Sequence, residues 1–374
     1  MKNKNYACTA VVLTLTVVLT LLLIFLPKEE YSENEKRVLS QLPEFSFTNL
    51  VEGKYTKELE SYISDHFPLR DMFVGINSYM DQLWGRGNQN GVYLLEDGSL
   101  VAEPGNGGTV DAAKLERYMN MFNSFSEKMG IDASLMLVPT PGYMKEHLLP
   151  SYHLEYYDEE LYKVVENNIG KLNYVDIRQV FENKEGIYYN TDHHVTGYGS
   201  YLMYQEYCRS VGIESVGQFS VKESYDGFYG TNYSKSGLWL TENDKIDLYC
   251  SDDDYKYKVT IDDLTKKESY DSLFFYDHLD DLDKYPLFLD GNHPVVTIEN
   301  QSNQNGKKLI IIKDSYAHCF STMVCREYQT VIMVDLRYYR GAVSQLINDN
   351  GINEMLFLFG IENAASISDI GLLR

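Results

Sequence analysis

A carboxylate, two imidazoles and a hydroxyl stand in two short stretches, Tyr188-Tyr189-Asn190-Thr191-Asp192-His193-His194 and Leu309-Ile310-Ile311-Ile312-Lys313-Asp314-Ser315-Tyr316. Together these groups are the parts of nucleophilic acyl chemistry: a serine to attack a carbonyl, an imidazole to take its proton, and a carboxylate to hold the imidazole. The four apolar residues 309–312 predict a buried strand, and Ser315 follows where a helical pattern begins. A hydroxyl at such a turn lies beside the first free N–H groups of a helix, which can stabilise an oxyanion. Asp192 and His194 are two residues apart, so in an extended segment they share one side and the aspartate can orient the imidazole. His193 would then point the other way, which makes His194 the preferred base.

Each of these residues also has a purely structural use. A serine after a strand serves as an N-cap, and Asp314 would cap equally well. Asp192 with the two histidines superficially resembles a metal-ligand set, but adjacent ligands on a strand diverge and no third His or Glu is spaced to complete it. No metal and no cofactor are therefore expected. His318, one turn after Ser315, is expected as an exposed helical residue. Arg337 at a strand end could bind a sugar carboxylate or pair with Asp335. Asn363 after the last strand could donate into the site or merely terminate a turn.

These groups need a scaffold, and the hydrophobic pattern outlines one. Lys2 and Lys4 precede an uncharged run from Tyr6 to Leu26, which would span about 31 Å as a helix and is closed by Pro27-Lys28-Glu29-Glu30. The run exceeds a usual signal-peptide core and no small-x-small cleavage site follows. It is expected to be a retained single-pass anchor in the cell membrane, with a cytoplasmic N-terminus and the C-terminal domain extracellular or periplasmic. Residues 31–54 look like a polar, irregular tether. Helical spacing then runs from Tyr55 to Phe67, is interrupted by Pro68, and resumes over 70–83. The expected organisation is an anchor (1–30), a tether with N-terminal helices (31–90) and a catalytic domain (91–374).

Within that domain a hairpin is expected around Glu96-Asp97-Gly98. Beyond it, helical patterns over 111–129, 158–169, 196–211, 315–327 and 341–348 alternate with strands over 133–138, 173–177, 308–312, 330–334 and 355–359. Such alternation means an α/β fold with a parallel sheet, whose sites gather at the carboxyl ends of the strands. The Pro139 loop, Ser315 and Asp335-Leu336-Arg337-Tyr338-Tyr339 would border one crevice. Residues 220–300 break the alternation and read as a β-rich insertion, with Asp252-Asp253-Asp254 a solvated surface.

At 374 residues and 44% hydrophobic content the chain can bury a sizeable core, and its net charge of −22 argues against nucleic acid or an anionic membrane surface as the main partner. The 32 tyrosines suit both sheet positions and an amphipathic, carbohydrate-facing site. Of five cysteines one, Cys8, falls in the apolar run, and the others are expected as buried free thiols.

Thr191-Asp192-His193-His194 resembles the name-giving motif of the bacterial DHHW proteins, and Lys313-Asp314-Ser315-Tyr316 resembles their second block. The similarity runs from about Asn34 to the end of the chain and includes Phe228-Tyr229-Gly230-Thr231. The DHHW group in turn resembles the periplasmic alginate O-acetylation proteins, which carry an SGNH-hydrolase-like domain. The resemblance implies a three-layer α/β/α sandwich with permuted motif order and a Ser315-His194-Asp192 site. It also implies O-acetyl transfer to a cell-surface or secreted polysaccharide, with a membrane-bound O-acyltransferase as a possible acetyl donor. A carbohydrate esterase with the same site, or a non-catalytic glycan-binding scaffold, is the alternative. Tyr316 or Ser315 would supply an oxyanion N–H. Two positions depart from the pattern: Val195 stands where DHHW proteins have tryptophan, and Lys313 where the hydrolases have glycine.

Overall fold

The computed structural model describes residues 2–105, 111–214 and 216–373. The chain divides into two compact units, Met1–Asn90 with Tyr233–Leu240, and Gly91–Asn232 with Thr241–Arg374.

The first unit begins with α1 (Lys2–Phe25), in which Tyr6–Phe25 is a 20-residue stretch of mean hydropathy 2.7, long and apolar enough to cross a bilayer. A small antiparallel pair follows, β1 (Tyr31–Ser32) with β2 (Arg37–Val38), and then α2 (Phe47–Val51), α3 (Lys54–Asp65) and α4 (Arg70–Leu83). Residues 31–40 are not the irregular tether their polarity suggests, because their polar groups meet the ends of the helices. Asp65 accepts from the Arg37 guanidinium and from the Ser40 N–H at 2.8 Å, and His66 Nε2 meets Ser40 O at 2.9 Å. The Arg37 guanidinium holds the Asp65 carboxyl well below the usual carboxylate range. On α4, a Cβ at Gly75 would come within 2.8 Å of Trp239 Cδ1, so glycine is what lets residues 233–240 pack against that face.

The second unit opens with the hairpin β3 (Val92–Leu94) and β4 (Leu100–Ala102). Next come α5 (Ala112–Met129), β5 (Asp132–Val138), α6 (Pro141–Met144), α7 (Asp158–Asn167), β6 (Asn173–Val175), α8 (Arg178–Phe181) and α9 (Gly197–Ser210). Asp111 caps α5 by accepting the Lys114 N–H, and Gly130 ends it in the left-handed conformation. After β7 (Phe219–Phe228), α10 (Thr231–Ser236) and β8 (Asp244–Ser251) the chain lays down β9 (Tyr257–Asp262), β10 (Lys267–Tyr270) and β11 (Val295–Asn300). It finishes with β12 (Lys308–Lys313), α11 (Ala317–Val324), β13 (Thr330–Val334), α12 (Val343–Asn350), β14 (Glu354–Gly360) and α13 (Ile361–Ser366).

Eight strands form one sheet in the order β10-β9-β11-β13-β12-β14-β5-β6. From β13 to β6 the neighbours are parallel, as the strand-helix alternation predicts. Residues 220–300 do two different things. β7 and β8 pair only with each other, while β9, β10 and β11 extend the central sheet as antiparallel strands. The sheet is buried on both faces. Leu309 and Ile311 of β12 pack with Met203 and Phe320 from α9 and α11, whereas Ile310 and Ile312 pack with Phe122, Leu161 and Ile347 from α5, α7 and α12. Each fully buried isoleucine of this strand contributes about 1.5–3 kcal/mol. The result is a three-layer α/β/α arrangement with β12 near its centre.

Candidate active site

Central strand β12 ends at Lys313, and the next three residues make the turn into α11. Asp314 pins that turn from inside. Its Oδ2 accepts from Gly360 N at 2.9 Å and Asn363 Nδ2 at 2.7 Å, and its Oδ1 accepts from Tyr316 N at 2.9 Å. Burial raises the Asp314 carboxyl despite these three donors. The turn is thereby fixed to the end of β14, and Ser315 projects from it, almost buried at 9% exposure. Its hydroxyl lies 2.7 Å from His194 Nε2.

The imidazole arrives on a loop rather than on an extended strand. A bridge between Tyr188 and Val195 and the bond from Tyr189 N to His194 O close residues 189–194 into a bend. Inside it Asp192 Oδ1 accepts from His194 N at 2.9 Å and His194 Nδ1 at 2.5 Å. Asp192 meets His194 through this side-chain-to-backbone turn and not through strand alternation. The bend also overturns the expectation that the two histidines diverge: their ring centroids are 3.9 Å apart.

Two segments hold the loop from behind. Asp244 at the start of β8 accepts from Asn190 N, Thr191 N and Thr191 Oγ1 at 2.8, 2.7 and 2.6 Å. Thr231 donates to Asp192 Oδ2 from its N–H at 2.7 Å and its hydroxyl at 3.0 Å, and its Oγ1 meets His193 Nδ1 at 2.8 Å. Gly230 is required beside it, since a Cβ there would sit 2.1 Å from Asp192 Cβ. Asp192 therefore accepts at least these four hydrogen bonds, which keeps it an acceptor toward the imidazole. Neither Asp244 nor Thr231 was assigned a role from the sequence. For Thr231 the signal was the Phe228-Tyr229-Gly230-Thr231 block, and for Asp244 there was none.

Two tyrosines pack around the His194 ring. Tyr285 stacks on His194 with centroids 3.9 Å apart and planes 13° apart, and its hydroxyl donates to Ser315 O at 3.2 Å. Tyr316 Oη donates to His193 O at 3.0 Å. The Tyr316 N–H is committed to Asp314, whereas the Ser315 N–H makes no hydrogen bond among the described residues. Of the two expected oxyanion donors, Ser315 is thus the one with a spare N–H.

Other predicted residues serve the scaffold. Asn363 donates to Asp314 and so steadies the serine turn. Arg337 does not reach Ser315, His194 or Asp192: its guanidinium binds Asp335 at 2.9 and 2.6 Å and Asn292 at 3.0 Å. His318 is buried rather than exposed, with Nε2 at 2.7 Å from Lys313 Nζ, which lies 3.3 Å from Asp335 Oδ2. Burial first, and then the Lys313 charge, push His318 well below its ordinary pKa. Lys313, where the hydrolase pattern has glycine, has become the centre of a buried ion pair.

Asp192, His193 and His194 do place one donor atom each within 4.8 Å of one another. Both ring nitrogens of His194 are already engaged, by Asp192 and by Ser315, and that pattern is the one a proton relay needs. Ser315 lies at the carboxyl ends of the parallel strands. A cavity of about 690 Å³ lined by Asp132, Ser134, Asn173 and Glu354 opens instead at their amino ends.

An α/β sandwich with a buried serine, histidine and aspartate in one hydrogen-bonded chain defines the class. The chain belongs to the DHHW family, whose model, described as DHHW protein, matches residues 35–98 and 157–334. A DHHW family protein from Eubacterium siraeum superposes with a TM-score of 0.64 at 24% identity, covering 76% of this chain and 95% of that one. Bacillus cereus PatB1, in a structure with a sulfonyl adduct, is similar at a TM-score of 0.63 and 20% identity, over 76% of this chain and all of that one. These two likenesses show the fold. No match was found among curated proteins.

Proposed function

We propose that the protein is a membrane-anchored, extracytoplasmic serine O-acyltransferase that moves an acetyl group onto a polysaccharide hydroxyl. The observation that carries this reading is the chain Asp192 Oδ1, His194 Nδ1, His194 Nε2, Ser315 Oγ, with links of 2.5 and 2.7 Å. Family membership supports it, since Asp192, His194 and Ser315 all lie within the residues that the DHHW model matches.

In the first half-reaction Ser315 Oγ attacks the acetyl carbonyl as His194 Nε2 takes its proton. Asp192 stays ionised and holds the imidazolium at Nδ1. The Ser315 N–H, which makes no hydrogen bond among the described residues, donates to the developing oxyanion. The C–O bond to the donor then breaks, and His194 returns the proton to the leaving oxygen. In the second half a sugar hydroxyl gives its proton to His194 and attacks the acetyl-serine carbonyl, the C–Oγ bond breaks, and His194 returns that proton to Ser315 Oγ. Water in place of the sugar makes the same site an esterase.

The N-terminal apolar helix supports the anchor reading, which keeps the site outside the cytoplasm near a membrane-bound acetyl donor. The test is to supply the detergent-solubilised chain with a chromogenic acetyl ester, with and without oligosaccharides. Transfer predicts acetylated sugar formed at the expense of free acetate. Turnover that yields only acetate whatever sugar is added contradicts transfer and leaves the esterase. Absence of any turnover contradicts both.

A further inference from the structure

The first unit is built the wrong way round for a soluble helical segment. On α4 the buried positions are Gly75 and Ser78, which face residues 233–240 through the Gly75–Trp239 approach and the bond from Ser78 Oγ to Ser236 O at 2.8 Å. The large apolar residues lie outside: Leu69, Met72, Phe73, Ile76, Leu83 and Trp84 are between 43% and 79% exposed. At about 100° per residue these six positions fall within one face roughly 120° wide. The face continues into a groove of about 710 Å³ floored by Ile63, Phe67 and Val74.

Its location says what covers it. Leu26 and Pro27, at the end of the apolar helix, and Leu69, Arg70 and Asp71, at the start of α4, line one cavity of about 270 Å³. Asn34 Nδ2 donates to Asp71 Oδ2 at 2.5 Å, and Arg70 pairs with Glu35, so the segment leaving α1 is bonded to the start of α4. If α1 spans a bilayer, α4 begins where the bilayer ends. Its outward face then meets the boundary between headgroups and acyl chains, where Trp84 and Phe73 are the favoured kind of side chain. The chain's net charge of −22 selects a neutral or zwitterionic leaflet over an anionic one.

We infer that α4 is an in-plane membrane helix, whose Leu69–Trp84 apolar face lies in the lipid interface next to the anchor. This rests on the anchor reading above, and the experiment separates the two. The full chain is reconstituted in phosphatidylcholine vesicles carrying bromines on the acyl chains near the headgroup. Flotation reports anchoring by α1, and quenching of tryptophan emission reports α4, since Trp84 and Trp239 are the chain's two tryptophans. The wild type is expected to float and to be quenched, with the quenching reduced at least twofold in Trp84→Phe and several-fold in Ile76→Glu, both still floating. A chain that floats with equal or no quenching in wild type and Trp84→Phe overturns the inference and leaves the anchor standing. It would point to a protein partner in the membrane. Shielding of Trp84 from aqueous acrylamide without bromolipid quenching, together with a cross-linked dimer, would assign the face to a second copy and equally overturn it. A chain that does not float contradicts both readings.

Discussion

Asp192-His193-His194 and Asp335-Leu336-Arg337 are built alike and do different work. In both, the aspartate accepts the backbone N–H two residues on, at 2.9 and 3.1 Å, and then the side chain of that same residue, at 2.5 and 2.9 Å. Asp176 and Arg178 repeat the pattern at 3.0 and 2.9 Å. The turn is therefore a device for fixing a side chain, and chemistry depends on what that side chain has left over. Arg337 also donates to Asn292 and has only donors, so it can hold but not relay a proton. His194 has a second nitrogen on the far side of the ring, and the sheet delivers Ser315 to it.

Substitutions should separate the two turns. Asp192→Asn keeps the shape but loses the charge and misassigns the tautomer; acetyl-ester kcat should fall by about 10⁴-fold, measured beside a thermal melt that shows the fold present. Gly230→Ala pushes a methyl group onto Asp192 Cβ and should displace the loop, lowering kcat on the order of 10²-fold. Asp335→Asn should leave kcat per folded molecule within a few fold, yet cost about 3–5 kcal/mol in denaturant unfolding, because Lys313 and Arg337 lose their buried counter-charge. A kcat loss in that variant as large as for Asp192→Asn would end the distinction between the two turns.

The smallest effect is a slope. Asp158 under the Pro139 loop accepts from Thr140 N and Oγ1, and burial pushes its carboxyl up to about 7. The folded state then holds a proton that the unfolded chain gives up near pH 4, so this group's contribution is complete below pH 4 and is lost as pH rises through 7. Stability of Asp158→Asn measured across that window should decline less with pH than that of the wild type.

What the sequence made legible follows its periodicities. The apolar run 309–312 placed the central strand and so Ser315, and Asp192 with His194 was recognisable from spacing alone, although the geometry behind the spacing was not. A two-residue interval fits both a strand and a closed turn, and only the Tyr188–Val195 bridge decides between them. Thr231 and Asp244 stayed hidden because a residue that supports another's side chain leaves no periodic trace. Lys313 and His318 are close only because β12 turns directly into α11. Residues 257–300 read as an insertion because antiparallel strands joined by long, polar, tyrosine-rich loops lack the strand-helix rhythm that marks the rest of the sheet.

If the sheet and the Asp192 turn together make Ser315 a nucleophile, intact-mass spectrometry of the full chain quenched during acetyl-ester turnover will show it. A species one acetyl group heavier is expected, mapped to Ser315, absent from Ser315→Ala and strongly depleted in Asp192→Asn. An adduct that persists in Ser315→Ala, or turnover unchanged in that variant, would contradict it.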